Sequence, residues 1–200
     1  MTKIDFKKDF KRFFNPPDTQ VVEEDVPPFQ YLMIDGSGAP EDQGYMDAIA
    51  TLYPVAYTIK FALKPEHDFT IGPLESLWWD DTPGGFNAAH REGWKWTALI
   101  IVPDFVTQDH LAAVVDQVRR KGKPAPLLDR VRLEMVDEGR CVQIMHLGPY
   151  DAETATIRRL HDYMTDNGMS FRGKHHEIYL SDPRTTAPER LKTVIRQPVH

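Results

Sequence analysis

Apolar residues along this chain alternate between strand spacing and helix spacing in an order that occurs twice. Phe29 to Gly36 has strand spacing, Gln43 to Leu63 has helix spacing, and two further strand patterns cover Thr70 to Trp79 and Trp94 to Val102. A helix pattern beginning after Thr107 then leads into a second series of strands and a helix. Because such units bury one sheet face under helices, we predict an α+β fold of two related halves.

The second half begins with two short strand patterns. Val131 to Val136 and Arg140 to Leu147 alternate apolar and polar residues around Asp137-Glu138-Gly139, which predicts a hairpin. Asp151 is placed to cap the following helix, because an aspartate oxygen accepts hydrogen bonds from free N–H groups at a helix start. The tail from Leu191 to Pro198 has strand spacing and predicts an edge strand.

Pro54 interrupts the helical pattern of Gln43 to Leu63. A proline lacks the N–H group and collides with the preceding turn, so it either kinks this helix or starts a second one. If the helix continues, Tyr53 and Tyr57 share a face, because they are four residues apart.

Composition narrows the classes of partner. The formal net charge is -6 and no apolar stretch is long enough to cross a bilayer, so we expect neither a nucleic-acid nor a membrane partner. Cys141 is the single cysteine and cannot form an internal disulfide, and the opening residues lack the apolar segment of a secretory signal. We therefore expect a cytoplasmic location. The sequence does not indicate a protein partner or an oligomeric state.

A basic, aromatic arm over residues 1–20 precedes one domain spanning residues 21–200. Four phenylalanines lie near helical spacing: Phe6, Phe10, Phe13 and Phe14. This pattern fits a surface-binding amphipathic helix or an arm docked on the domain. The arm is short and also carries aspartates, which favours docking.

Glu177 is the carboxylate that stands out as a candidate functional group. Strand alternation directs Glu177 and Tyr179 to one face of their strand, and Ile178 and Leu180 to the other, which we expect to face the helices. A glutamate at this position is either a solvated sheet residue or the polar centre of a pocket between the two halves. The neighbouring Tyr179 favours the pocket.

Two kinds of residue could surround such a pocket. Trp78 and Trp79 adjoin on one strand and point to opposite faces, and core packing is an alternative role for either.

His175, His176 and Glu177 could suggest a metal site, but adjacent strand residues diverge, and no helical His-x-x-x-His or cysteine pair occurs. We therefore expect no metal and no cofactor.

Three segments resemble the stand-alone GyrI-like proteins, and the similarity runs nearly from end to end. The segments are Leu74-Glu75-Ser76-Leu77-Trp78-Trp79, Gln143-Ile144-Met145-His146-Leu147-Gly148-Pro149-Tyr150 and His175-His176-Glu177-Ile178-Tyr179-Leu180-Ser181-Asp182-Pro183. Ser76 departs from the glycine expected in that tryptophan strand.

The resemblance implies tandem strand-helix-strand-strand units with pseudo-twofold symmetry and a ligand cleft between them, as in the effector domains of multidrug-responsive transcription regulators. It places Glu177 in the cleft. The aromatic walls that it implies are Trp78 or Trp79, Tyr53, Tyr57 and Tyr179. Tyr150, which could lie over the sheet or the pocket, and His146 are further candidate ligand contacts. Some stand-alone members open the strained cyclopropane of DNA-alkylating natural products by adding water, which protects the cell from these xenobiotics.

Three functions are compatible with these features. The first is a binding or sequestering module, in which aromatic walls stack on flat hydrophobic or cationic molecules and Glu177 supplies a counter-charge. The second is a hydrolase of strained electrophiles, in which Glu177 activates water and Tyr53 or Tyr57 polarises the carbonyl of the substrate. The third is a protein-interaction module, which would leave the aromatic cleft unexplained.

Overall fold

A computed structural model describes residues 3–81, 91–122 and 124–200. Within these ranges the chain forms one mixed α+β structure. The strands are β1 (Val22–Val26), β2 (Phe29–Ser37), β3 (Leu74–Trp79), β4 (Lys95–Val102), β5 (Arg132–Val136), β6 (Gly139–Leu147), β7 (His175–Tyr179) and β8 (Lys192–Pro198). The helices are α1 (Phe6–Asp9), α2 (Lys11–Phe14), α3 (Gln43–Leu63), α4 (Gln108–Arg120) and α5 (Glu153–Asp166).

All eight strands form one antiparallel sheet in the order β1-β6-β8-β7-β3-β4-β2-β5. The unit β2-α3-β3-β4 and the unit β6-α5-β7-β8 occupy equivalent positions on either side of the β3–β7 pair, which we call the seam. The α+β class and the tandem pseudo-twofold arrangement are therefore confirmed. The sequence also predicts a turn between β3 and β4 over Asp80-Asp81-Thr82-Pro83-Gly84-Gly85, and its residues 82–85 lie outside the described residues.

The hairpin predicted between β5 and β6 is wrong. β5 pairs with β2, and β6 pairs with β1 and β8. In the same way β1 and β2 are consecutive but not paired, because Pro27 and Pro28 join them and cannot form the positive-φ turn of a two-residue hairpin. The β5–β6 connection contains Glu138, which is drawn into the core, as described below. Each half thus receives its outermost strand from the other half.

This exchange requires a curled sheet. In a flat sheet, β1 and β2 would lie about six strand spacings of ~4.8 Å apart, or roughly 29 Å. The short link from Val26 to Phe29 can span only about 11 Å. The sheet must therefore bend until its two ends approach each other, and the β5–β6 link imposes the same bend.

The two faces of the curled sheet are packed differently. On the concave face, residues from strands at both ends meet in one inner cluster: Val26, Phe29, Tyr31, Met33, Leu77, Leu99, Ile101, Cys141, Met145, Ile178 and Val194. On the convex face the apolar residues form two separate clusters, one with α3 and α4 and one with α5. The seam lies between these two clusters.

The N-terminal arm closes the concave face, so the docked arrangement is confirmed. Phe6, Phe13 and Phe14 are buried in the inner cluster. The side chain of Arg196 donates a hydrogen bond from Nη2 to the Phe13 carbonyl at 2.7 Å, and Gln143 Nε2 donates to the Arg12 carbonyl at 2.8 Å. The arm is therefore held by hydrogen bonds as well as by apolar burial.

A buried ion network lies beneath the arm. His176 Nδ1 is 2.9 Å from Glu138 Oε1, His176 Nε2 is 3.0 Å from Glu75 Oε2, and Arg196 Nη1 is 2.8 Å from Glu138 Oε2. All four side chains are buried. Burial opposes charge on His176, but the carboxylates of Glu138 and Glu75 outweigh it and raise the imidazole pKa to about 9. At neutral pH His176 and Arg196 are therefore both positively charged beside the Glu138 carboxylate.

The register of β7 follows from this network. His176 points to the concave face, and the next residue, Glu177, points to the convex face. The expected grouping of Glu177 with Tyr179 is correct, and Ile178 and Leu180 lie on the opposite face. The expected helix partner is wrong, because the long helices cover the convex face and Ile178 and Leu180 pack with the phenylalanines of the arm.

Helix boundaries agree with the sequence patterns in two cases and differ in one. α3 is continuous from Gln43 to Leu63 with Pro54 inside it. Thr107 caps α4, and its side chain accepts from the His110 N–H. The predicted Asp151 cap is wrong, because a short 3-10 turn covers Tyr150–Ala152 and α5 begins at Glu153.

The predicted edge position of the C-terminal strand is also wrong. β8 lies inside the sheet between β6 and β7. A strand that ends a chain often lies at an edge, but here β1 covers the outer side of β6 and leaves β8 internal.

We expect Arg196→Met to lower the free energy of unfolding by about 3–5 kcal/mol, because it removes one partner of a buried ion pair and leaves Glu138 undercompensated. Arg140→Met is the matched control, because Arg140 also pairs with a glutamate, Glu23, at 2.9 Å but at the surface. Its cost should be below about 1 kcal/mol. Denaturant unfolding of both variants measures the difference, and similar small losses would contradict a structural role for the network.

Candidate functional site

Glu177 lies on the convex side of the seam, in register with Ser76 of β3. Its side chain is almost fully buried, with 8% of the residue exposed. Oε1 is 3.1 Å from His175 Nε2, and Oε2 accepts a hydrogen bond from the Tyr179 hydroxyl at 2.6 Å. Both neighbours are two residues away along the same strand face, so β7 alone fixes the orientation of the carboxylate.

Tyr179 connects Glu177 to the aromatic residues of the first half. Its hydroxyl accepts a hydrogen bond from Trp78 Nε1 at 3.0 Å while donating to Glu177. Burial, followed by the nearby Glu177 carboxylate, raises the pKa of Tyr179 well above its usual value. The phenol therefore stays protonated at neutral pH and acts as a fixed hydrogen-bond donor.

Aromatic rings surround this hydroxyl. Tyr45 lies between Trp78 and Trp96, with ring centroids 5.3 and 5.2 Å away, and its hydroxyl is 2.7 Å from Ser76 Oγ. Trp94 packs edge-on against Trp78 at 5.4 Å. On the α5 side, Tyr150 meets the ring of Tyr179 at 5.7 Å.

The rings differ in exposure. Trp78 and Trp96 are buried, whereas Trp94 is half-buried and Tyr150 is 40% exposed. Burial raises the pKa of Tyr150 to about 12, so this hydroxyl also stays protonated. The exposed rings form a rim around the buried polar centre, and a flat molecule entering from the convex side would meet them first.

A second carboxylate, Glu153, faces the same region from the first turn of α5. The residue is 6% exposed, and its Oε1 atom has no hydrogen-bond partner among the described residues. Burial is the main cause that raises its pKa to about 9, and the negative charge of Glu177 is the second. Glu153 is therefore protonated at neutral pH.

Sequence reasoning did not identify Glu153. A glutamate in the first turn of a helix is an ordinary way to complement the helix dipole, so its type and position gave no functional signal. The available clue was helical spacing, because Glu153 shares a face with the buried Ile157 and Leu160. A carboxylate on the apolar face of a helix requires either a partner or a proton.

The structure brings some of the predicted site residues together but not all of them. Trp78 and Tyr179 lie beside Glu177 on the convex side. Trp79 points to the other face, where the ammonium of Lys174 lies 3.3 Å from its ring centroid. Trp79 therefore does not contact the Glu177 cluster.

Tyr53 and Tyr57 lie on α3 at the edge of this cluster. Their rings are neighbours at 6.4 Å, which confirms that they share a face. The hydroxyl of Tyr53 lies near the backbone of Leu74, the residue that pairs with Tyr179 across the seam. Tyr57 is 46% exposed and continues the row towards Phe61. Neither hydroxyl bonds Glu177 in the described part of the chain.

His146 lies on the convex face of β6, next to β8, and is almost fully buried. Its Nδ1 is 2.9 Å from Thr156 Oγ1 on α5, and its Nε2 is 3.2 Å from the Pro149 carbonyl. Both ring nitrogens are thus engaged, and the Nε2 contact helps to fix the turn that carries Tyr150.

No group of three or more His, Cys, Asp or Glu side chains in residues 3–81, 91–122 and 124–200 is arranged to hold a metal ion. Among the same residues, no helix has the length and apolar character needed to cross a membrane.

Comparisons with known proteins agree with this architecture. A model of the GyrI-like small molecule binding domain matches residues 19–200. The crystal structure of an uncharacterized conserved protein from Listeria innocua is 40% identical, with a TM-score of 0.91 over 99% of this chain and 100% of that chain. The crystal structure of a hydrolase from Listeria innocua is 39% identical, with a TM-score of 0.87 and the same coverage.

A more distant structure shares only the fold. The C-terminal domain of EcmrR is 15% identical, with a TM-score of 0.61 over 90% of this chain and 97% of that chain. No curated protein sequence shows significant similarity to this chain.

We expect Tyr179→Phe to destabilise the protein by about 1–3 kcal/mol, because the buried Trp78 Nε1 loses its acceptor and Glu177 loses a donor. Tyr163→Phe is the matched control, since the Tyr163 hydroxyl also donates to a glutamate, Glu23, but near the surface at 3.1 Å. Thermal or denaturant unfolding compares the two. If Tyr179→Phe were no more costly than Tyr163→Phe, the hydroxyl would not organise this cluster.

Proposed function

Because the chain belongs to the GyrI-like small molecule binding domain family, we propose that it binds flat hydrophobic or cationic organic molecules at the convex side of the seam. Glu177 anchors the ligand in this proposal. Trp78, Tyr179 and Tyr150 provide aromatic contacts, and Tyr53 and Tyr57 extend the aromatic surface along α3. His146 supports the ligand contact of Tyr150 by fixing its turn.

The buried carboxylate of Glu177 is the observation that carries this proposal. Buried charges in proteins are normally paired, because an uncompensated charge in a low-dielectric interior is costly. Among the described residues no lysine or arginine forms an ion pair with Glu177, and its contacts are a phenol and an imidazole. This contrasts with Glu138 on the other face, which has Arg196 as its partner. A cationic ligand would supply the missing positive charge.

The aromatic residues favour a delocalised cation over a compact one. Tryptophan and tyrosine faces attract positive charge through their quadrupoles and also bury flat apolar area. A planar cation can therefore stack on the rim rings while its charge approaches Glu177. A strongly hydrated ammonium ion would lose its water without gaining equivalent apolar contact.

We expect Glu177→Gln to weaken the binding of N-methylquinolinium about 30-fold or more, which corresponds to about 2 kcal/mol for loss of a desolvated charge pair. Quinoline, which has nearly the same shape but is uncharged at neutral pH, should lose much less. Quenching of tryptophan fluorescence measures both affinities.

Glu23→Gln is the matched control for this substitution, because Glu23 also accepts a hydrogen bond from a tyrosine but lies on β1, in the strand at the sheet edge. It should leave both affinities unchanged. Equal binding of N-methylquinolinium by the wild type and Glu177→Gln would remove Glu177 as the anchor.

Hydrolysis of strained electrophiles, such as cyclopropane-bearing dienones, is the second candidate function. The similarity to a hydrolase from Listeria innocua over the whole chain favours it. Water would attack a cyclopropane carbon, the strained C–C bond would break, and the electron pair would move to the dienone oxygen. Glu177 would accept a proton from the water, and a tyrosine hydroxyl would stabilise the developing negative charge on oxygen.

Tyr53 and Tyr57 are the tyrosines proposed for this role. Tyr53 is the better placed of the two, because its hydroxyl lies near Leu74, the strand partner of Tyr179, whereas Tyr57 lies one helical turn further along α3. Stacking on the rim rings would orient the flat substrate towards the water.

With substrate in excess over protein, we expect multiple turnovers for the wild type and none above background for Glu177→Ala. Tyr53→Phe should lower kcat about 100-fold or more, as loss of one oxyanion donor typically does, and Tyr57→Phe should have a smaller effect. Product formation limited to one equivalent would indicate trapping of the electrophile, and an unchanged rate in Glu177→Ala would eliminate this mechanism.

A further inference from the structure

We propose that ligand cations enter this site in exchange for a proton, with Glu153 as the group that releases it. The inference rests on the proposed cation-binding function and adds a second carboxylate to the site. Glu153 and Glu177 then act as one acidic pair, which carries a single negative charge when empty and two when a cation is bound.

The surroundings of Glu153 support its role as the exchangeable group. Its carboxyl is almost completely buried within electrostatic range of Glu177, and Oε1 lacks a hydrogen-bond partner in the described part of the chain. Neither glutamate pairs with a lysine or arginine there. The pair therefore has a proton in place of a counter-ion.

Loss of that proton is feasible once a cation is present. The charge of Glu177 is one of the two causes that hold the proton on Glu153, and a cation between them would cancel its field. Two further features favour the anion: the nearby hydroxyl of Thr193 and the position of Glu153 in the first turn of α5, where the helix dipole favours negative charge. Burial alone then opposes ionisation.

Other titratable groups also face this region. Tyr179, Tyr150 and Tyr45 have raised pKa values and remain neutral in the relevant range. The imidazoles of His175 on β7 and His146 on β6 are the remaining groups.

Proton linkage determines whether the affinity for the cation rises or falls with pH. A ligand that binds better to the deprotonated pair gains affinity as pH rises, until the free protein has itself lost the proton. The association constant of N-methylquinolinium should therefore rise between pH 7 and pH 9, approaching tenfold per pH unit, and become level above about pH 9. The affinity for quinoline should stay constant over the same range.

Substitution of Glu153 tests whether this residue causes the pH dependence of the cation affinity. Glu153→Gln keeps a neutral polar side chain of the same size, so it should bind the cation with the affinity that the wild type has at low pH and without the rise. Asp151→Asn is the matched control, because Asp151 is an exposed carboxylate two residues away, and it should retain the wild-type dependence. His175 and His146 are present in the wild type and in both variants, so they cannot account for a difference in pH dependence between them.

Calorimetry provides a test that requires no substitution. Titration of the wild type with N-methylquinolinium at pH 7.5, in two buffers of different ionisation enthalpy, should show release of close to one proton per cation bound, and release of none with quinoline. A pH-independent cation affinity, or an equal rise in Glu153→Gln, would overturn the inference while leaving cation binding intact. Absence of saturable cation binding at every pH would instead overturn the proposed function together with this inference.

Discussion

The buried ion network of Glu75, His176, Glu138 and Arg196 is the interaction on which the rest of the structure depends. It lies on the concave face, but it determines what the convex face presents. His176 can reach Glu75 and Glu138 only in one register of β7, and a shift of one residue would reverse every side chain of that strand. The position of Glu177 at the seam is therefore a consequence of charges on the opposite side of the sheet.

The two faces satisfy buried carboxylates in different ways. On the concave face Arg196 and a protonated His176 compensate Glu138 and Glu75, and Arg196 also fixes the arm through the Phe13 carbonyl. On the convex face the described contacts of the Glu177 carboxylate are a phenol and an imidazole, and Glu153 keeps its proton. A fully paired ion network favours a rigid scaffold. A buried carboxylate without a lysine or arginine partner instead favours the binding of a cation from solution.

Local patterns in the sequence were sufficient for those features that depend on local interactions. The limits of α3, the Thr107 cap and the alternation of Glu177 with Ile178 could all be predicted, because each depends on residues within a few positions. The partners of β5 and β8 could not be predicted, since strand pairing is decided by packing across the whole chain. Glu153 was missed for the same reason, because its approach to Glu177 depends on how α5 packs against the sheet.

The exchange of β1 and β5 between the two halves also determines how this protein must fold. The pairs β1–β6 and β2–β5 join residues separated by roughly 100 positions or more, so the contact order is high and folding is expected to be slow compared with that of a helical bundle. A fragment ending after α4 would lack β5 on the outer side of β2, and the complementary fragment would lack β1 on the outer side of β6. The two halves resemble separate modules in their element order, but neither can complete its own sheet, so they form a single cooperative unit.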